Sequence, residues 1–293
     1  MIAQHFVDAI SLGSLYALAV LGIALILGVM KLINFAHGDL IMVGGYAMSA
    51  LSPYPWPFLI LGTLVATMLL AMLMERVAFR PVRGASAATL LITSFTVSYL
   101  LQNIMSATLT SNAQPVTMPM FVLELFTIGD VRIQKLGVLT VGITLALVTA
   151  LALGLKWTTI GLHMRSAAED FGMAQLLGVR ANRVIAVSFA ISGFLAGVVS
   201  LIFMSQTGAV VPTTGISITL VAFVGTVVGG MGNLAAATAG GFLLGVMTVI
   251  LQVVLPLHLS PFRDAFVFSL VIAILLLRPQ GLLQRHSRRQ VLQ

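Results

Sequence analysis

Apolar residues gather along the chain into long runs separated by short polar joints. The runs occupy residues 6–30, 40–51, 56–74, 87–109, 136–155, 184–204, 216–231, 234–255 and 265–277. Most are close to the ~20 residues that carry a helix across a hydrocarbon core of about 30 Å. Helix is the form such runs take, because backbone N–H and C=O groups left open in lipid have no partner. The pattern predicts an all-α polytopic transmembrane bundle of eight to nine spans.

Two of the nine runs are short. As a helix, residues 40–51 rise only about 18 Å, too little to cross alone. This run follows the polar stretch Asn34, Phe35, Ala36, His37, Gly38, Asp39 and precedes Pro53, Pro55 and Pro57, so a chain break inside the membrane is expected near Asn34. In the second half, the short run 216–231 follows Gln206, Thr207, Gly208 and then Pro212, Thr213, Thr214, Gly215. The corresponding positions of these interruptions predict an inverted repeat about the fifth span, with a substrate pathway at the breaks. The candidate pathway residues are Asn34, Ala36, His37, Gly38, Asp39, Gly44, Gly45, Gln206, Thr214 and Gly215. Unpaired N–H groups at two half-helix N-termini are expected to meet an anionic substrate group, and the small residues Ala36, Gly38, Gly44, Gly45 and Gly215 to leave room beside the path. Asp39 is expected to cap a helix from Leu40, Asn34 to satisfy freed backbone groups, and His37 to play a structural or gating part. Glycines four residues apart, Gly193 and Gly197, Gly225 and Gly229, Gly241 and Gly245, predict close helix packing.

The longest polar joint, 157–183, carries Arg165, Glu169, Asp170, Phe171, Ala174, Leu177 and Gly178. Phe171, Ala174 and Leu177 share one predicted helix face, the two acids suit a helix start, and Gly178 suits its stop. An interfacial helix on anionic lipid is normally basic, so the acids favour a docking helix for a cytoplasmic partner.

Composition bounds the function. Of 293 residues, 59% are hydrophobic and 8% charged, which excludes a soluble globular protein. With no cysteine in the chain, disulfide frameworks, thiolate metal sites and cysteine nucleophiles are excluded. The net charge of +7 lies in blocks between apolar runs, an orientation signal and not a nucleic-acid footprint. With the N-terminus outside, Lys31, Arg76, Arg80, Arg83, Lys156, Arg165, Arg180, Arg183, Arg278, Arg285, Arg288 and Arg289 all fall inside, leaving Arg132, Lys135 and Arg263 outside. Tail residues Arg285, Arg288 and Arg289 read as inner-surface anchors to membrane lipid, Asp8 as an interfacial residue, and Glu75 with Arg76 as a boundary pair. There is no phosphate-binding Gly-rich loop and no paired-His helix motif, so neither ATP hydrolysis nor metalloprotease chemistry is encoded, and no metal or cofactor site is predicted.

Four separated motifs then carry a resemblance. Residues 33–38 (Ile-Asn-Phe-Ala-His-Gly), the loop from Ala168 and Glu169 to Gly178, residues 229–233 (Gly-Gly-Met-Gly-Asn) and residues 278–282 (Arg-Pro-Gln-Gly-Leu) occur in the order found in branched-chain amino acid ABC permeases, which the chain resembles over nearly its whole length. The loop departs from the Glu-Ala-Ala form of the coupling loop, and Ala235, Ala236 and Ala237 replace the proline or glycine usual after the turn. The resemblance implies a single permease domain: a first half of about 1–110, a coupling loop 157–183, a second half 184–277 and a cytoplasmic tail 278–293. It also implies a second permease subunit, two cytoplasmic ATPase subunits that bind the ATP, an extracytoplasmic solute-binding protein and a bacterial inner-membrane location. Related permeases serve urea and short amides, which remain the alternative substrates. An ion-coupled secondary transporter is the alternative of another class, disfavoured because the deep spans hold almost no carboxylates.

Overall fold

The computed structural model describes residues 2–109, 112–116, 124–128, 131–278 and 281–282. Helices occupy each of the nine apolar runs, with ends within a few residues of those read from the sequence. They are α1 (Ile2–Met30), α2 (His37–Leu51), α3 (Trp56–Met74), α4 (Ala87–Thr108), α5 (Lys135–Trp157), α8 (Ala181–Thr207), α9 (Thr214–Gly229), α10 (Leu234–Val254) and α11 (Arg263–Leu277). The joint between α5 and α8 holds two short helices, α6 (Thr159–Glu169) and α7 (Phe171–Leu176). Among the described residues, seven helical segments are long and apolar enough to cross a membrane, whereas α2 and α9 have 15 and 16 residues. The protein is a helical membrane bundle.

Local chemistry sets the helix ends. Ser86, Thr158 and Asn233 each accept a backbone N–H in the first turn of the helix that follows, the usual duty of an N-cap side chain. At its far end α3 runs into a π turn, Glu75–Phe79, and then a short 3-10 turn, Arg80–Val82, where Pro81 lacks the N–H needed to continue the α-helix. The Glu75 carboxylate is buried there and pairs with Arg83, while Arg76 is exposed, so the partner is not Arg76 but the arginine just past the two turns. Arg83 also donates to Asn182 at 2.6 Å, joining the end of α3 to the start of α8.

Helix α1 is the centre of the molecule. Of its most apolar stretch 78% is buried, against 17% for α5 and 11% for α11, so α1 is enclosed by protein while the latter two present most of their surface outward. The broadest contacts pair α1 with α10 and α3 with α8; next come α9 with α10, α1 with α8, α2 with α3, and α2 with α8. Close approach depends on missing side chains. A Cβ on Gly245 would lie 2.5 Å from Gly13 Cα, one on Gly240 2.3 Å from the Gly225 carbonyl oxygen, and one on Gly193 2.8 Å from the Thr67 carbonyl oxygen. The four-residue glycine spacing therefore marks true helix contacts.

The chain also forms strands that the all-α expectation omitted. Ladder β1 (Gln114–Pro115) pairs antiparallel with β4 (Ala209–Val210), and β2 (Leu125–Ile128) pairs with β3 (Val131–Gln134) just before α5. Both lie in connections between helices, where backbone groups outside a helix need partners of their own. Tail residues Arg285, Arg288 and Arg289 lie outside the described residues. Residues 281 and 282 do not: Leu282 N donates to the Val228 carbonyl at 2.8 Å, and a Cβ on Gly281 would lie 2.8 Å from Gly230 Cα. Gly281 and Leu282 of the motif after the last span thus pack against Val228 and Gly230 at the Gly229–Asn233 turn.

A substitution pair tests the packing. Adding a methyl at Gly38 puts Cβ 2.0 Å from the Gly215 carbonyl oxygen, backbone that cannot rotate away, whereas Gly142 has nothing within 4 Å. Gly38→Ala is expected to cost about 3 kcal/mol or more of stability, and Gly142→Ala to gain up to about 1 kcal/mol in a helix interior. Thermal unfolding in detergent, read as loss of the monodisperse gel-filtration peak, reports both.

Candidate functional site

The break between α1 and α2 is built from backbone accommodation. Lys31, directly after α1, has a φ of 54°, in the left-handed region that helix exits favour. The chain turns through Leu32 and Ile33 to Asn34, whose Oδ1 accepts the Ala36 N–H at 3.1 Å while its own carbonyl accepts the His37 N–H at 3.2 Å. Asn34 thereby satisfies the Ala36 and His37 N–H groups. Helix α2 begins at His37 and not at Leu40, and Asp39 sits in its first turn without capping it.

Opposite this start lies the start of α9. Gly38 N donates to Thr219 Oγ1 at 3.0 Å, and the Thr219 hydroxyl in turn donates to the Gly215 carbonyl at 2.8 Å, with the Phe35 carbonyl as a second acceptor at 3.3 Å. A Cβ on Gly215 would lie 2.7 Å from the Gly38 carbonyl carbon and oxygen. The two short helices therefore abut, glycine on glycine, and one threonine hydroxyl bonds to both.

Two buried side chains fix this crossing to neighbouring helices. Asp39, 1% exposed, accepts from Gln102 Nε2 at 3.0 Å, and the same amide nitrogen lies 3.0 Å from Ser98 Oγ, so α4 supplies the partners. His37, also 1% exposed, has Nδ1 3.1 Å from Ser192 Oγ on α8; that oxygen is 3.1 Å from the Gly22 carbonyl on α1. The ring lies so close to α1 that a Cβ on Gly22 would be 2.5 Å from its Cε1. Phe35 stacks on Phe95 at 4.2 Å and leans against Phe223 at 5.5 Å. Phe35 also borders a cleft of about 260 Å³ with Ser98, Gln102, Ile216 and Thr219.

The candidate pathway residues are brought together only in part. Asn34, Ala36, His37, Gly38, Asp39 and Gly215 meet at the crossing, all buried. Gly44 and Gly45 lie further along α2, where their missing side chains admit Ser200 and Met204 of α8. The expected room at Gly38, Gly44, Gly45 and Gly215 is thus filled by protein, and Ala36 is fully buried. Nor are the first N–H groups of α2 free, since those of Ala36, His37 and Gly38 all have partners. Thr214 opens α9, and its hydroxyl accepts from Val211 N at 3.0 Å. Gln206 faces a separate cleft with Asp8, Ser11 and Gln134. Sequence reasoning missed Thr219, Ser192, Ser98 and Gln102. A signal existed for the last two: polar residues four apart in an otherwise apolar span share a helix face.

The joint between α5 and α8 forms a second site. Asp170 Oδ1 accepts the Met173 N–H at 2.9 Å and caps α7, while Glu169 ends α6 instead of opening a helix. Gly178, at φ 87°, closes α7 in a Schellman motif, with Val179 N bonded to the Ala174 carbonyl and Gly178 N to the Gln175 carbonyl, both at 3.0 Å. Ala174 is buried and Phe171 half-buried. Leu177 does not join them as the helix-face reading expected: the chain leaves the helix at that residue, and Leu177 is 79% exposed beside Leu176 at 83% and Met173 at 55%. Arg165 and Glu169 are exposed on α6. Beneath this surface, Met164, Ala167 and Val184 pack on Leu25 and Val29, near the end of α1 that leads into the break. Among the described residues, no three His, Asp or Glu side chains cluster in a way that could hold a metal ion.

Residues 6–277 match the family model described as branched-chain amino acid transport system, permease component. The chain is 32% identical to the high-affinity branched-chain amino acid transport system permease protein BraD of Pseudomonas aeruginosa, over 98% of this chain and 97% of BraD. It is 30% identical to the corresponding permease protein LivH of Escherichia coli, again over 98% and 97% of the two chains. The autoinducer 2 import system permease protein LsrC of Shigella flexneri is also 30% identical, over 53% of this chain and 47% of its own. No solved structure matches. With the match spanning every helix from α1 to α11, the chain belongs to the branched-chain amino acid transport system permease family.

Proposed function

We propose that this chain is a membrane-spanning permease subunit of an ABC importer that carries leucine, isoleucine and valine. The observation that carries this reading is the similarity to BraD and LivH over 98% of the chain, proteins named for that transport. Hydrolysis of ATP then falls to two cytoplasmic ATPase subunits, delivery of substrate to an extracytoplasmic solute-binding protein, and the other half of the pathway to a second permease subunit. The N-terminus lies outside and the C-terminus inside, supported by the charge bias of the loops.

Helices α1–α4 and α8–α11 form an inverted repeat about α5. The pattern of contacts supports it: exchanging each helix of the first half for its counterpart converts the α1–α10 contact into α8–α3, α2–α3 into α9–α10, and α2–α8 into α9–α1, all of them present. The same exchange leaves the contacts α1–α8 and α2–α9 unchanged. In this arrangement the Gly38–Gly215 crossing lies on the repeat axis and closes the pathway. Surface residues Met173, Leu176 and Leu177 receive the ATPase. Movement there reaches the crossing through Met164 and Ala167, then Leu25 and Val29, then the break at residues 31–36.

The decisive experiment is uptake of radiolabelled leucine, isoleucine and valine by proteoliposomes holding the complete importer, with its binding protein and internal ATP. ATP-dependent accumulation is expected; urea accumulation without any of the three amino acids would replace this reading with the alternative. Leu176→Glu and Leu177→Glu, changes at exposed positions, are each expected to cost about 2 kcal/mol of ATPase docking while leaving the permease folded. Pull-down of the ATPase and substrate-stimulated ATP hydrolysis report the loss. For topology, alkaline phosphatase fused after Asn112 is expected to be active and after Leu292 inactive.

A further inference from the structure

An apolar cavity of about 220 Å³ lies on the opposite side of α9 from the Phe35 cleft. Leu15 and Ala19 of α1, Val221 of α9, Leu244 of α10 and Val267 of α11 form much of its wall, and Tyr16, Arg263 and Asp264 are its main polar groups. Arg263 and Asp264 are neighbours in sequence, with Arg263 Nε 3.2 Å from Asp264 Oδ1; a second contact takes Arg263 Nη1 to Gln252 Oε1 at 3.3 Å. A guanidinium has five N–H donors, so most of its capacity remains, and the Asp264 side chain is 72% exposed.

The helix dipole gives Asp264 a reason to be present but none to Arg263, whose ties are to Asp264 and to Gln252. An acid in the first turn of α11 is favourable with the helix dipole, whereas a cation as the first helical residue opposes it. A solvent-exposed pair of this kind adds little stability. What the two charges do together is present one cation and one anion at the side of a greasy chamber in a chain where only 8% of residues are charged.

That arrangement is complementary to one chemical class. An α-amino acid zwitterion offers a carboxylate to the guanidinium, which binds carboxylates in a two-pronged fork, and an ammonium to the Asp264 carboxylate. A cavity of ~150 Å³ already holds a benzene-sized group, so a volume of about 220 Å³ accommodates a branched aliphatic side chain. Urea and short amides carry no charge for either partner, and a charged side chain would be buried against Leu15, Val221 and Leu244 without a counter-ion. We propose that this cavity is a receiving site within the permease, where Arg263 and Asp264 hold the zwitterion of an amino acid whose branched apolar side chain enters the chamber. The proposal rests on the branched-chain amino acid reading of the family and adds to it a discriminating site in the permease itself.

The test uses the complete importer in proteoliposomes. A diazirine analogue of leucine, photolysed during turnover, is expected to label peptides containing Leu15–Ala19 or Arg263–Phe268, and excess leucine to suppress that labelling. Arg263→Gln removes the charge-assisted bonds and is expected to raise the KM for leucine by about tenfold or more. Val221→Phe fills the chamber and is expected to reduce leucine uptake more than alanine uptake; Val221→Ala, which adds no bulk, is expected to weaken the preference for leucine over alanine. If the wild-type importer accumulates leucine but neither peptide is labelled, or Arg263→Gln keeps the wild-type KM and Val221→Ala keeps the wild-type leucine-to-alanine ratio, the cavity is not a substrate site and the transport reading stands. If the wild-type importer accumulates no branched-chain amino acid, that reading falls and this inference falls with it.

Discussion

A helix that begins inside an apolar bundle must find partners for its first N–H groups within the protein, because hydrocarbon supplies none. Helix α2 finds them in the side chain and carbonyl of Asn34 and in the hydroxyl of Thr219, which belongs to the other half of the chain. The last bond requires the two helix starts to approach at backbone distance, and that requires glycine at 38 and at 215. The requirement spreads outward. With α2 pinned against α9, its side chains at 37 and 39 are driven into protein, where Ser192 and Gln102 meet them. The break is therefore a tertiary joint and not a loose end.

Small residues extend the same logic along the rest of the bundle. Lipid offers no hydrophobic drive for one apolar helix to prefer another over a lipid tail, so association rests on how closely backbones fit. Helix α1 touches α10 through Gly13 and Gly245, and α9 meets α10 through Gly225, Gly229 and Gly240. Asn233 caps α10 straight after the Gly229–Asn233 turn, and residues 281 and 282 return to pack on that turn. Two sequence motifs about fifty residues apart thus serve one joint: Gly281 leaves room for Gly230, and Leu282 sends its N–H to Val228.

Properties local to one segment were legible in the sequence, and properties that depend on a neighbour were not. The nine apolar runs became nine helices because length and apolarity decide a helix in lipid, whatever it packs against. Asn34 as backbone partner and Gly178 as helix stop are also local and were readable. The role of Gly44 was not, because a glycine reads alike whether it faces a void or Ser200. Leu177 has the right spacing from Ala174 for a shared face, but Asp170 caps α7 and Gly178 ends it, so only six residues are helical and Leu177 points away. Glu75 chose Arg83 over Arg76 because a π turn and a 3-10 turn follow it, and one-residue changes in helical pitch cannot be read from composition.

These joints also tie one end of the molecule to its middle. Helices α6 and α7 are too short to be stable alone, and isolated helices under about 12 residues are marginal in water. Their stability comes from Met164, Ala167 and Ala174 turned into the protein, with Met164 and Ala167 seated on Leu25 and Val29. Displacing α6 without displacing that end of α1 would open a void in a packed cluster, which costs free energy in proportion to its volume. Because most of α1 is enclosed, its end is held by protein up to Lys31, where the helix stops in a left-handed conformation. Helix α6 is thereby joined to the end of α1 that leads into the break, beside the Thr219 hydroxyl that bonds α2 to α9. The Thr219 hydroxyl has both the Gly215 and the Phe35 carbonyl within reach while accepting from Gly38 N, so a single side chain holds the starts of α2 and α9 to the break before them.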